Sequence, residues 1–217
     1  AEQDPKKTAR IYAQAGQVFQ SYEVLDIAIA CYENSLSYQE DGDVLHLLGR
    51  AYRETDQMEV AARTFSRAAE LLIEDRAAMP YVIAALYWAG DSYLELNEPA
   101  KAREKFKLGI NRTNGRQPIF YLGLGKSYMD EDPAEAITHL SRAEGMIPGK
   151  KNVLYLLMTA HRKLGEVERA RQYQEQFERS VDRLLSVDPL HVKVQGLRKT
   201  VSAHRMRGNT ALFKQKN

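Results

Sequence analysis

Residues 42–68 read GDVLHLLGRAYRETDQMEVAARTFSRA. Within them Gly49 is followed by Tyr52, then Ala61, Phe65 and Ala68. The same order stands upstream as Gly16, Phe19, Ala28, Tyr32 and Ser35. Downstream it returns as Gly90, Tyr93, Ala102, Phe106 and Gly109, and again as Gly125, Tyr128, Ala136, Leu140 and Ala143. The glycines are 33, 41 and 35 residues apart. Self-similarity at such a period marks a stacked helical repeat. Apolar residues spaced by three and four on both sides of a break predict two helices per period. Glycine and alanine at the crossing let the two backbones approach closely. The aromatics fill the space beside the crossing and supply most of the apolar burial.

These residues resemble the tetratricopeptide repeat (TPR) pattern, in which W-x2-L-G-x2-Y is followed by A-x3-F, A and P. The resemblance covers about residues 9–182. A degenerate fifth unit keeps Leu154, Leu157, Ala170 and Phe177, but has Met158 for the glycine, His161 for the tyrosine and Gln174 for the phenylalanine. The implied fold is all-α: a right-handed α-solenoid of about five helix-turn-helix units plus a C-terminal capping helix. The units lie near 9–41, 42–82, 83–117, 118–150 and 151–186 within a solenoid spanning 1–189, and 190–217 hold the capping helix and a basic tail. Helices are expected near 6–20, 24–38, 42–54, 58–74, 80–95, 99–111, 117–129, 133–145, 151–163, 167–186 and 189–206. Asp56 with Glu59 reads as a capping box, and Asp132 before Pro133 as an N-cap. The long spacing between Gly49 and Gly90 places an insertion near Leu71–Tyr81.

Function classes narrow from here. No run of eighteen apolar residues exists, so no membrane-spanning segment is expected. The first residue is Ala1; a removed leader and a trimmed end both fit it, and cytoplasm and periplasm both stay open. Cys31 is the single cysteine and reads as a buried structural thiol. Gly123-Leu-Gly-Lys-Ser127 resembles the end of a phosphate loop, but Phe120 stands where the first glycine belongs. The five histidines show no metal-ligand spacing. No catalytic residue, metal or cofactor is expected, and the chain reads as a non-enzyme.

What the resemblance implies is a protein-interaction scaffold or adaptor, holding a partner's peptide or helix in a groove lined by the first helix of each unit. Projected onto this chain, the groove candidates are Arg10, Gln17, His46, Arg50, Arg53, Tyr87, Asp91, Leu94, Lys126, Met129, Tyr155, Thr159 and Arg162. A chaperone-tail clamp is not expected, because Ala13, Gln17, Leu47, Ala84 and Trp88 occupy its positions; Trp88 is expected in the core between units two and three. A bacterial envelope, secretion or polysaccharide-export assembly is one setting where such repeats are common. The alternatives are an RNA-binding helical repeat and attachment to an acidic partner or anionic surface. The last rests on residues 190–217, with seven cations and no acid in a chain of net charge +2. The resulting acidic body makes nucleic acid the weaker reading.

Overall fold

A computed structural model describes residues 4–185 of the chain. Ten helices run in sequence: α1 Pro5–Ser21, α2 Leu25–Tyr38, α3 Gly42–Glu54, α4 Met58–Leu72, α5 Met79–Glu95, α6 Pro99–Arg112, α7 Pro118–Tyr128, α8 Pro133–Met146, α9 Lys151–Lys163 and α10 Val167–Leu185. They pack as five consecutive antiparallel pairs, and the described residues contain no strand. Each second helix also packs on the first helix of the next pair, which makes the stack a solenoid. The capping helix expected near 189–206 and the basic tail lie outside the described residues.

Within a pair, an aromatic or leucine ring of contacts closes on the glycine. A Cβ added at Gly16 would lie 2.6 Å from the Tyr32 ring; at Gly49 it would lie 2.9 Å from Phe65, at Gly90 2.5 Å from Phe106, and at Gly125 2.4 Å from Leu140. Tyr32, Phe65, Phe106 and Leu140 are all fully buried. Phe106 is held on two sides, since Gly123 of the next unit faces the same ring at 2.6 Å. The phosphate-loop-like segment is therefore interior helix, its glycines spent on packing.

Four of the five turns from first to second helix share one device, the α7–α8 turn being the exception. Glu23, Asp56, Asn97 and Gly165 have φ of 61°, 62°, 57° and 74°, the left-handed value that lets a helix end and reverse. The next amide then bonds five residues back, as Gln57 N–H does to Tyr52 O at 2.8 Å and Glu98 N–H to Tyr93 O at 2.8 Å. This corrects the capping box expected at Asp56. That residue is consumed by the left-handed turn, and Gln57 stands at the N-cap with no side-chain bond. Asp132 does cap α8, accepting from Ala134 and Glu135 N–H at 3.1 and 3.0 Å. The insertion is absorbed by residues 73–78 and by α5, which starts at Met79, well ahead of Gly90. Cys31, expected to be buried, is half-exposed and free.

Replacing Gly90 by Leu should lower stability by roughly 1–3 kcal/mol or more, because the Phe106 ring has no room to retreat. Thermal or urea unfolding of Gly90→Leu beside the parent chain measures this. An unchanged midpoint would mean that the ring does not rest on the glycine.

Candidate groove site

Successive first helices touch one another as well as their own partners, α1 with α3, α3 with α5, α5 with α7 and α7 with α9. They therefore form the inner side of the stack, and the residues one turn on either side of the packing glycines are turned towards it. The best-connected group spans three units. Arg53 of α3 donates from Nη1 to Asp91 Oδ2 of α5 at 3.0 Å, and Lys126 of α7 donates from Nζ to Asp91 Oδ1 at 3.3 Å. The Asp91 side chain is 11% exposed, against 21% for Arg53 and 35% for Lys126. A carboxylate so shielded is tolerable only because two cations bond to it. The Arg53 guanidinium also lies 4.4 Å over the Trp88 ring, and Tyr87 meets Trp88 edge-on at 5.0 Å. Trp88 is thus half-buried at the rim of the core, with Arg53 over it, where a core position had been expected.

The surroundings tune these groups. Burial pushes the Tyr87 hydroxyl above its ordinary range, and Asp91 adds to the effect. Burial works against charge on Lys126, but Asp91 and Tyr87 outweigh it and hold the ammonium above its usual pKa. Next to the network a cleft of about 340 Å³ opens between α5 and α7. Asp91, Leu94, Glu95, Pro99, Lys126 and Asp130 line it.

Arg10 and Gln17 are exposed on α1, and Arg10 lines a second cleft of about 340 Å³ with Lys6, Gln39 and Asp41. Arg50 is exposed and pairs with Glu54 at 3.6 Å. Leu94 is half-buried in the wall of the first cleft. Tyr155 is 52% exposed and leans on Phe177, while Arg162 Nη2 reaches Gln174 Oε1 at 3.4 Å, so both turn back towards α10. Thr159 donates its hydroxyl to Tyr155 O at 2.9 Å and is occupied by its own helix. Besides Asp91, which is 8% exposed, two further candidates prove to be interior. His46 is 9% exposed, set edge-on to Phe65 and Tyr81 at 5.4 and 6.2 Å, because the early start of α5 brings Tyr81 over it. Met129 is 9% exposed at the end of α7, and its carbonyl accepts from Lys163 Nζ at 3.2 Å.

Sequence reasoning missed Gln20, Glu54, Asp130 and Lys163. Gln20 links α1 to α3, accepting from Tyr32 Oη at 2.9 Å and donating to Glu54 Oε2 at 3.1 Å. Lys163 pairs with Asp130 across α9 and α7. The available signal was register. Gln20 stands in its unit where Arg53 and Leu94 stand in theirs, and Glu54, Asp130 and Lys163 follow that position. Among the described residues, no group of three His, Cys, Asp or Glu is placed to hold a metal ion, and no helix is long and apolar enough to cross a membrane.

Repeated helix pairs clamped ring-on-glycine, with a polar inner face, define a helical-repeat solenoid. The described residues have the fold of tetratricopeptide repeat structures. Residues 84–108 match the tetratricopeptide repeat family model. Solved structures agree in fold. MamA 41-end from Desulfovibrio magneticus RS-1 aligns with a TM-score of 0.68 at 17% identity, covering 87% of this chain and 99% of that one. PilF of Pseudomonas aeruginosa aligns with 0.63 at 19%, covering 89% and 83%. YrrB, described as a TPR protein with an unusual peptide-binding site, aligns with 0.62 at 16%, covering 85% and 90%. No curated protein sequence matches the chain. Proteins of this fold are typically non-enzymatic scaffolds.

His46 yields a pH prediction. Burial, with Arg50 nearby, pushes its pKa down to about 4. Above roughly pH 6.5 neither the folded nor the unfolded chain protonates it. Towards pH 4 only the unfolded chain does, so acidification should remove about 2–3 kcal/mol of stability through this one group. Melting from pH 7.5 to 4.5 should show His46→Gln losing less stability than the parent chain. Parallel pH profiles would contradict the buried, neutral imidazole.

Proposed function

We propose that this chain is a protein-interaction scaffold whose inner groove takes a peptide or helix of a partner protein. The observation that carries the reading is the Arg53–Asp91–Lys126 network, which ties three first helices together beside an open cleft. A groove held rigid by its own ion pairs binds without ordering itself first, and that saves affinity. Arginine, tyrosine and tryptophan, the residue types that concentrate binding energy in interfaces, gather there as Arg50, Arg53, Tyr87 and Trp88. Leu94 and Pro99 supply apolar wall between polar groups, which suits a partner side chain with an apolar stem. The likeness to YrrB, whose description names a peptide-binding site, supports the same reading.

The cations of the groove are largely neutralised within it, and this argues for a mixed polar and apolar partner over a polyanion. Arg53 and Lys126 share Asp91, Arg50 meets Glu54, and Lys163 meets Asp130. An envelope, secretion or polysaccharide-export assembly is the setting we favour for such a scaffold.

Affinity capture with the whole chain, followed by mass spectrometry, tests the proposal. A partner caught by the parent chain should bind at least tenfold more weakly, a loss of about 1.4 kcal/mol, to Arg50→Ala/Leu94→Ala. Arg63→Ala/Lys107→Ala, on the second helices, should leave it unchanged. Equal loss in both variants, or loss only in the second, would place the interface elsewhere.

A further inference from the structure

Unit four turns from its first to its second helix in its own way. From Gly16, Gly49 and Gly90 to Ala28, Ala61 and Ala102 the step is twelve residues, but from Gly125 to Ala136 it is eleven. Residues 92–99 of unit three read SYLELNEP, and residues 127–133 of unit four read SYMDEDP. The residue dropped is the left-handed one, Asn97 in unit three, and none of residues 129–132 has a positive φ. In the four other turns an amide bonds five residues back, as Glu98 N–H does to Tyr93 O; here Asp132 N–H bonds only four back, to Tyr128 O at 2.8 Å. α7 ends three residues past its glycine, at Tyr128, where α3 and α5 run on for five. A helix that stops without that reversal leaves carbonyls to be satisfied by other donors. Side chains from the two neighbouring units supply them. Arg103 of α6 donates through Nη2 to Ser127 O and, at 2.7 Å, to Glu131 Oε2, with its guanidinium 3.9 Å over the Tyr128 ring. Lys163 of α9 donates through Nζ to Met129 O at 3.2 Å and pairs with Asp130.

We infer that Arg103 and Lys163 are positioning residues of the groove, which hold the α7–α8 turn from units three and five as one wall of the cleft between α5 and α7. The inference rests on the groove reading above and extends it to two residues that do not line the cleft themselves. Ser127, Asp130 and Glu131 do line it, together with Leu94 and Pro99 from the unit before. The four self-capped turns take their shape from their own backbone. This turn takes its shape from its neighbours, so the cleft depends on how units three, four and five sit against one another. A partner side chain entering the cleft then meets a wall already fixed, which spares it the cost of ordering a loose turn. The ion pairs alone would hold the turn weakly. Asp130 is 92% exposed, and a pair so open to water contributes little. The bonds to Ser127 O and Met129 O matter more, because they satisfy carbonyls that the shortened turn leaves without a backbone partner. Arg103 is the firmer of the two holds, with a side chain 15% exposed against 38% for Lys163.

Amide hydrogen exchange of the full chain, read residue by residue by NMR, tests this. Arg103→Ala and Lys163→Ala should each speed exchange of the Asp132 amide several-fold, and leave Gln57 and Glu98, the matching amides of two self-capped turns, as they are. Lys163→Arg keeps a donor for Met129 O and should keep the protection. Replacing residues 129–132 by the sequence of residues 94–98 restores the left-handed residue, and in that background neither alanine variant should change exchange in the grafted turn. The partner caught by the parent chain should bind several-fold more weakly to Arg103→Ala and to Lys163→Ala. It should bind equally well to Arg67→Ala, whose ion pairs with Glu40 and Glu70 lie in units one and two. An Asp132 amide no faster in either variant overturns the proposal, as does a graft that still responds to the two alanines. A rise shared by Gln57 and Glu98 would mark general loosening and overturns it too. Faster exchange with undiminished partner affinity would leave the turn held but the wall without a role, which also counts against it. Should Arg103→Ala fail to fold, Lys163→Ala and the graft decide. If no partner is caught, the groove reading fails, while the exchange measurements still decide what holds the turn.

Discussion

The fold depends on a side chain resting directly on a glycine. Tyr32 on Gly16, Phe65 on Gly49, Phe106 on Gly90 and Leu140 on Gly125 leave no room for a Cβ. Two helices that touch so closely fix their crossing and present a constant outer shape to the next pair. Unit five tests this by exception. It has Met158 in place of the glycine and Gln174 in place of the ring, so bulk has moved from the second helix to the first. Met158 is 8% exposed, and Gln174 lies outside, bonded to Glu178 at 3.0 Å. His161 stacks on Tyr173 at 5.3 Å and bonds Glu166 Oε2 through Nδ1 at 2.7 Å, closing the space that a repeat tyrosine would fill. The crossing survives because Met158 fills it from the first helix while Gln174 turns out of it.

With the crossings fixed, the inner face becomes an electrostatic problem. First helices from neighbouring units come close enough for their side chains to meet, so a charge on one must be answered on the next. Asp91 answers both Arg53 and Lys126, and Gln20 bridges Tyr32 to Glu54. These bonds run along the stack, perpendicular to the ring-on-glycine contacts that run within each pair. The first kind sets the spacing and curvature of the groove, while the second holds the units themselves. Removing a groove charge should therefore loosen relations between units before it unfolds any of them.

The first and last described helices differ in what they leave exposed. Among the described residues, unit five leaves Arg171, Glu175 and Glu178 exposed. Unit one keeps apolar residues in the row that all later units cover, and Ile11 and Val18 are left in the open.

The sequence by itself determined the helical register. Glycine, aromatic and alanine spacing located the helix pairs, Asp132 and Pro133 announced the start of α8, and the departures in unit five were visible as Met158 and Gln174. These features are legible because they act within about one turn or one helix crossing, where spacing along the chain equals position in space. Only the tertiary structure decided the fate of individual groove residues. His46 belongs to the right register position, but Tyr81, far along the chain, covers it. Met129 is interior for a similar reason, closed off by α9 through Lys163. Asp56 has the chemistry of a cap, yet the turn needed a left-handed residue there more than it needed a hydrogen bond. Arg53 and Lys126 both bond to Asp91, 38 and 35 residues away along the chain. Burial and charge pairing depend on neighbours brought together by the stack, and a local pattern carries no record of them.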